Sequence, residues 1–311
     1  MSPKRVFSIA GIAAVIYIGV GYWVLNNFDV PPIRNSAWAF LILAAISQIT
    51  AMFFFGLLFR ESVHEVGGEL RIWPAFKSAM VGAGVARLIP AGGAVTPVAM
   101  AWTVRDDTTV APGPALRAVL LNYSGLLMMA GGGLLIARPN ESAQIASVSL
   151  ILIAPFVLLA GVVLMFGSGK LGSLNRFLPR FIRTRLEASV ADHLPGLESQ
   201  LYIWTRLVLE VGALWLVLHA FGIDLTAFQV MACFGVSSLA GGLPGTPGGL
   251  GVTEFGLALI LAAYGIPASA TAVPIFVYRI ISYWLPAALS LLAGGTTFLR
   301  SDAAKEAEVG A

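Results

Sequence analysis

Apolar residues run along this chain in blocks of about 20, the length an α-helix needs to cross the roughly 30 Å hydrocarbon core of a bilayer. Six blocks have that length, near 6 to 25, 37 to 59, 115 to 137, 145 to 167, 201 to 221 and 271 to 298. Each reads as a full span. The first follows Lys4 and Arg5 as a signal peptide would, but Asn26, Asn27 and Asp29 come after it with no small-x-small cleavage site, so a retained span is expected.

Two further apolar stretches, 78 to 104 and 227 to 264, are interrupted by helix-breaking clusters. The first holds Leu-Ile-Pro-Ala-Gly-Gly-Ala-Val-Thr-Pro (88 to 97), the second Gly-Gly-Leu-Pro-Gly-Thr-Pro-Gly-Gly-Leu-Gly-Val-Thr-Glu (241 to 254). They align without a gap at an offset of 157 residues, pairing Pro90 with Pro247, Gly92 with Gly249, Val95 with Val252, Thr96 with Thr253 and Ala101 with Ala258. The chain therefore reads as a diverged duplication, with repeat halves at roughly 37 to 137 and 201 to 298. Paired interruptions in two halves are the sequence pointer to a transporter's binding site. Pro90, Gly92, Gly93 and Thr96 in the first break, and Thr246, Pro247, Gly248, Gly249 and Thr253 in the second, are candidate site residues.

Charge sets the topology. If each broken stretch is a re-entrant hairpin and the N-terminus is cytoplasmic, the loops 60 to 77, 105 to 114 and 168 to 200 and the C-terminus all lie inside. Fifteen Lys and Arg residues, helix ends included, then face the cytoplasm, and only Arg34 and Arg138 lie outside. A single crossing at the first break would put loop 168 to 200, with Lys170, Arg176, Arg180, Arg183 and Arg185, on the wrong side. Three full spans separate the hairpins, so they enter from opposite sides. The expected fold is an all-α polytopic membrane protein with about six full spans and two broken re-entrant hairpins in an inverted repeat, enclosing a hydrated cavity near the midplane.

Composition agrees: 58% of the 311 residues are hydrophobic, 11% are charged and the mean hydropathy is +0.85. A water-soluble domain is excluded, and one integral membrane domain spanning 1 to 311 is expected. Cys233 stands alone and His64, His193 and His219 are scattered, so no disulfide framework, metal site or cofactor is expected. The net charge of +3 reflects basic loops rather than a nucleic-acid partner. Within loop 168 to 200, Leu174, Phe177, Leu178, Phe181 and Ile182 alternate with arginines at helical spacing, which fits an amphipathic helix on anionic lipid or an ordinary basic loop.

Four charges remain inside apolar runs: Arg87, Glu210, Glu254 and Arg279. Each costs about 2.5–3.5 kcal/mol at the bilayer centre on insertion scales, so each should face protein or water. Glu210 has Arg206 one turn earlier, near the cytoplasmic end, and reads as a structural i, i+4 pair. Arg87 and Glu254 flank the two breaks and are expected to approach one cavity. Arg279 falls opposite Asn122 at the same offset, so both are candidates for its walls. Arginine can hold a phosphodiester through its planar fork; Glu254 could balance an arginine, receive a cationic head group or carry a proton. Tyr278, Tyr283 and Trp284 read as interfacial anchors or as cavity lining, a lipid-facing aromatic being the commoner case for each taken alone.

At Gly-Leu-Pro-Gly-Thr-Pro-Gly-Gly-Leu-Gly-Val-Thr-Glu (242 to 254), Tyr-Arg-Ile-Ile-Ser-Tyr-Trp-Leu-Pro (278 to 286) and Arg-Leu-Ile-Pro-Ala-Gly-Gly (87 to 93), the sequence resembles the lysylphosphatidylglycerol synthase transmembrane region family. That flippase-like family includes the N-terminal domain of the bacterial multiple peptide resistance factor. The resemblance implies movement of an anionic or aminoacylated phospholipid, or of a polyprenyl-linked lipid, between leaflets of the cell membrane, with Arg87, Glu254 and Arg279 at positions the family keeps polar. Two-domain members add a soluble aminoacyl transferase after the membrane part. Here the sequence ends about a dozen residues after its last span, so a separate lipid-modifying enzyme is the expected partner for any aminoacylation.

No nucleotide-binding glycine loop is present, and the adjacent Asp106 and Asp107 read as a solvated turn, so a transporter and not an enzyme is expected. The alternatives are an accessory subunit of a lipid or glycolipid synthesis system and a transporter of a soluble solute.

Overall fold

The computed structural model describes residues 37–88, 92–138, 144–166, 194–242 and 246–293, with parts of the first apolar run between 11 and 27. Every regular element among them is helical. In chain order they are α1 (Ala37–His64), α2 (Ile72–Leu88), α3 (Gly92–Thr103), α4 (Pro112–Ile136), α5 (Gln144–Phe166), α6 (Leu197–Ala220), α7 (Ala227–Gly241), α8 (Val252–Ala263) and α9 (Ala268–Ala293). A 3₁₀ turn, Pro247–Gly249, leads into α8, and α9 contains a π-helical turn at Ile280–Trp284.

Helices α1, α4, α5, α6 and α9 are long and apolar enough to span a bilayer. The chain is an integral, multi-pass membrane protein. The expected first span, 6 to 25, is described only in part, with helical residues at 17–19 and 21–24 and Tyr17 stacked on Phe276 of α9 at 4.8 Å, and most of loop 168 to 200 lies outside the described residues.

The broken stretches form hairpins. Helices α2 and α3 have 17 and 12 residues, and α7 and α8 have 15 and 12. At 1.5 Å per residue each is about 18–26 Å long, short of a ~30 Å crossing. Each pair runs antiparallel. Ser78 donates to the Met100 carbonyl at 2.8 Å, and Thr96, nearer the tip, donates to that of Gly82 at 3.4 Å. In the second hairpin Gly241 faces Thr253 and Ser237 faces Gly256.

The repeat is inverted in the packing itself. Helices α1 and α6 correspond at the offset of 157, and they lie side by side in opposite directions: Phe40 meets His219, Ser47 donates to the Leu209 carbonyl at 2.8 Å, and Phe54 meets Tyr202. Small residues let the backbones close up at the centre. A Cβ on Gly235 or Gly133 would collide with Ala130 of α4 or Ala232 of α7. Helix α5 lies outermost, with Leu152, Phe156 and Leu159 exposed for lipid to cover.

Candidate functional site

The hairpin tips meet and interlock with α9. Gly248, at the second tip, has φ +53, and a Cβ there would sit 2.7 Å from the Cα of Arg87 and against the Tyr283 ring. Only glycine admits this approach. Arg87 lies in the last turn of α2, where carbonyls lose their helical donors; the Tyr283 hydroxyl donates to the Arg87 carbonyl at 2.6 Å. In return the Arg87 guanidinium donates to the Ser282 carbonyl through Nε at 3.1 Å and Nη2 at 2.9 Å, and to the Ala83 carbonyl at 2.9 Å. Sequence explains why Ser282 can accept: four residues on stands Pro286, which has no N–H to return to it.

Arg279 precedes the π turn, a helical irregularity frequent at functional sites. Its Nε donates to Glu254 Oε1 at 2.8 Å and its Nη2 to the Gly248 carbonyl at 3.2 Å, with the guanidinium 4.8 Å from the Tyr283 ring centre. Glu254 uses its other oxygen to accept the Gly251 N–H at 2.8 Å, capping α8. One carboxylate therefore closes the break and neutralises an arginine.

Behind the tips lies a cavity of about 210 Å³. Arg87, Gly93, Asn122, Thr246, Gly248, Thr253 and Arg279, all expected from sequence, line it, as do Gln48, Tyr123, Arg206, Glu210, Tyr278, Ser282 and Tyr283. Arg206 binds the Asn122 side-chain oxygen, reaches Glu210 at 3.2 Å and packs 4.2 Å from the Phe55 ring centre. Gln48 Nε2 approaches Glu210 at 3.5 Å. Three buried polar atoms at this wall have no hydrogen-bond partner among the described residues: Gln48 Oε1, Arg206 Nε and Thr246 Oγ1. Groups so placed require water or a ligand.

The remaining expected residues fall elsewhere. Glu254 does not pair with Arg87; it faces an apolar groove of about 490 Å³ on the far side of Arg279. Thr96 borders a smaller cavity of about 100 Å³ that shares Arg87, Asn122 and Arg206. Gly249, at φ +68, packs against Gly241, Gly92 opens α3, Pro247 belongs to the 3₁₀ turn, and Pro90 lies outside the described residues.

One reading needs correcting. Arg206 and Glu210 do form an i, i+4 pair, but in the cavity wall and not at a helix end, because Asn122 and Gln48 stand opposite them. Of the two places open to these aromatics, Tyr278 and Tyr283 take the cavity wall, where both are buried. The signal that could have pointed there is a lone glutamine in an apolar span: the antiparallel packing of α1 on α6 brings Gln48 beside Glu210.

The family model for the lysylphosphatidylglycerol synthase TM region matches residues 8–290. The chain belongs to that family. Among curated proteins it is similar to UPF0104 membrane proteins of Methanothermobacter thermautotrophicus (strain Delta H). One match is 31% identical over 99 residues, covering 32% of this chain and 28% of the relative; another is 33% identical over 85 residues, covering 27% and 25%. The chain thus aligns with about a quarter of the length of the relatives it matches.

Proposed function

We propose that this protein is a flippase or scramblase-like transporter that passes the head group of a phosphate-bearing membrane lipid through the central polar cavity, without chemical turnover. The observation behind this reading is the charge around the cavity. Arg206 is balanced by Glu210 and Arg279 by Glu254, while Arg87 is held by two carbonyls. Three guanidinium groups against two carboxylates leave one positive charge in a buried polar space, and an anion offsets it. A phosphodiester also supplies acceptors for guanidinium N–H groups.

Size argues that only a head group enters. About 210 Å³ lies below the roughly 300–1,000 Å³ of ordinary small-molecule sites. A membrane lipid with two chains exceeds it, so the tails stay outside. The excess of basic residues on one side supports cytoplasmic termini and residence in the cell membrane. The lipid reading, in preference to a soluble anion, draws on membership of a family named for a lipid synthase.

Mass spectrometry of lipids retained in native-membrane nanodiscs tests the reading. An acidic lipid class enriched with wild type and lost with Arg87→Ala supports it. Identical bulk lipid with both proteins contradicts it.

A further inference from the structure

An apolar groove lies beside the polar cavity. It lies between the first span and the α8–α9 pair, with Tyr17, Trp23, Phe255, Ala272 and Phe276 in its walls, and its volume of about 490 Å³ is more than twice that of the polar cavity. Phe255 is 70% exposed and Trp23 56%, so the groove opens where lipid covers the protein. Glu254 is the charged residue among its described lining.

A thin partition separates the two spaces. Glu254 lines the groove, its partner Arg279 lines the cavity, and the two side chains meet at 2.8 Å. The turn beneath them divides in the same way, with Gly251 on the groove side and Gly248 on the cavity side. An apolar slot open to lipid on one side of an arginine, and a cationic polar space on the other, match the two halves of one amphipathic molecule.

We propose that the groove seats one hydrocarbon chain of the transported lipid, and that the lipid phosphate enters the cavity by taking the place of Glu254 on Arg279. The inference rests on the lipid-transport reading above. Phosphate oxygens present to the guanidinium the same acceptors as the carboxylate they displace. Glu254 keeps its second oxygen on the Gly251 N–H, so α8 retains its cap while Arg279 changes partner. The ion pair acts as a latch between tail seat and head-group site.

The test uses the full chain in phosphatidylcholine vesicles doped with phosphatidylglycerol carrying a photoreactive diazirine in one acyl chain, with labelled peptides identified by mass spectrometry. Labelling of the segment from Phe255 to Phe276 is expected to saturate, and to be competed by unlabelled phosphatidylglycerol but not by phosphatidylcholine. Ala272→Trp, which fills the groove, and the milder Ala258→Leu should each lower that labelling and leaflet transfer, Ala272→Trp by about tenfold. Leu159→Trp, on the lipid-facing side of α5, should change neither.

Labelling that never saturates and matches that of α5 means ordinary surrounding lipid and overturns the seat, as does a copurified protein crosslinked there. Unchanged transfer in a folded Ala272→Trp protein also overturns it. Intact wild-type transfer with unsaturable labelling removes the seat and leaves the transport reading. Saturable labelling with no wild-type transfer does the reverse.

Discussion

Tyr283 of α9 donates its hydroxyl to the backbone carbonyl of Arg87 in α2 at 2.6 Å, joining residues 196 positions apart in the chain. The bond gives the broken end of the first hairpin the donor that its own helix no longer supplies, and it holds the Arg87 side chain where that side chain reaches Ser282. Replacing the hydroxyl by hydrogen in Tyr283→Phe leaves a buried carbonyl without a partner. The expected loss is about 1–3 kcal/mol of stability, read from denaturant titration in detergent or nanodiscs. An unchanged midpoint would mean that water replaces the hydroxyl.

Gly248 and Gly222 both have positive φ, +53 and +75, but their surroundings differ. A Cβ at Gly222 meets nothing within 4 Å, whereas one at Gly248 meets Arg87 and Tyr283. Gly222→Ala should cost only the backbone term of about 1–2 kcal/mol. Gly248→Ala should cost clearly more and also impair transfer, because the tips must separate. Equal effects in both assays would show that the close approach does not matter.

Glu254 and Arg279 should respond with opposite signs. Glu254→Gln makes the cavity more positive and should increase retention of acidic lipid, while Arg279→Gln should decrease it. A double-mutant cycle on stability should give a coupling of about 0.5–3 kcal/mol. If both variants retain lipid equally, the pair is structural only.

Gln48→Leu separates stability from function. Gln48 contributes one long contact to Glu210 and one buried oxygen with no partner among the described residues, so stability should change by less than about 1 kcal/mol. Transfer should nevertheless slow, since the cavity loses a polar group from its wall. A strongly destabilised Gln48→Leu protein would place the glutamine in the fold's framework.

Much of the architecture was readable from spacing and from the placing of charge. Block length located α1, α4, α5, α6 and α9, and the repeated Pro/Gly clusters located both hairpins because helix breaking is a local property. Their inversion followed from counting spans once the distribution of Lys and Arg had made each break a re-entrant hairpin, and the antiparallel contact of Ser47 with Leu209 agrees with it. Partner choice was less legible. Arg87 and Glu254 both flank breaks, yet Arg87 turns to a carbonyl freed by Pro286, and Glu254 turns to its own helix cap and to Arg279. Such choices depend on which backbone groups are left unpaired once the tips dock, and single-residue patterns do not encode that. Arg206 was misplaced for the same reason: only the packing of α4 against α6 brings Asn122 to it.

Leaflet transfer in proteoliposomes separates a lipid transporter from a membrane protein that only holds lipid. Fluorescent phosphatidylglycerol in both leaflets is exposed to a membrane-impermeant quencher, with wild type, Arg87→Ala and empty vesicles compared. The account predicts that wild type makes the whole pool quenchable and that Arg87→Ala slows this by at least about tenfold, the equivalent of about 1.4 kcal/mol. A folded wild-type protein that leaves the inner leaflet protected, or an Arg87→Ala protein as fast as wild type, would contradict it.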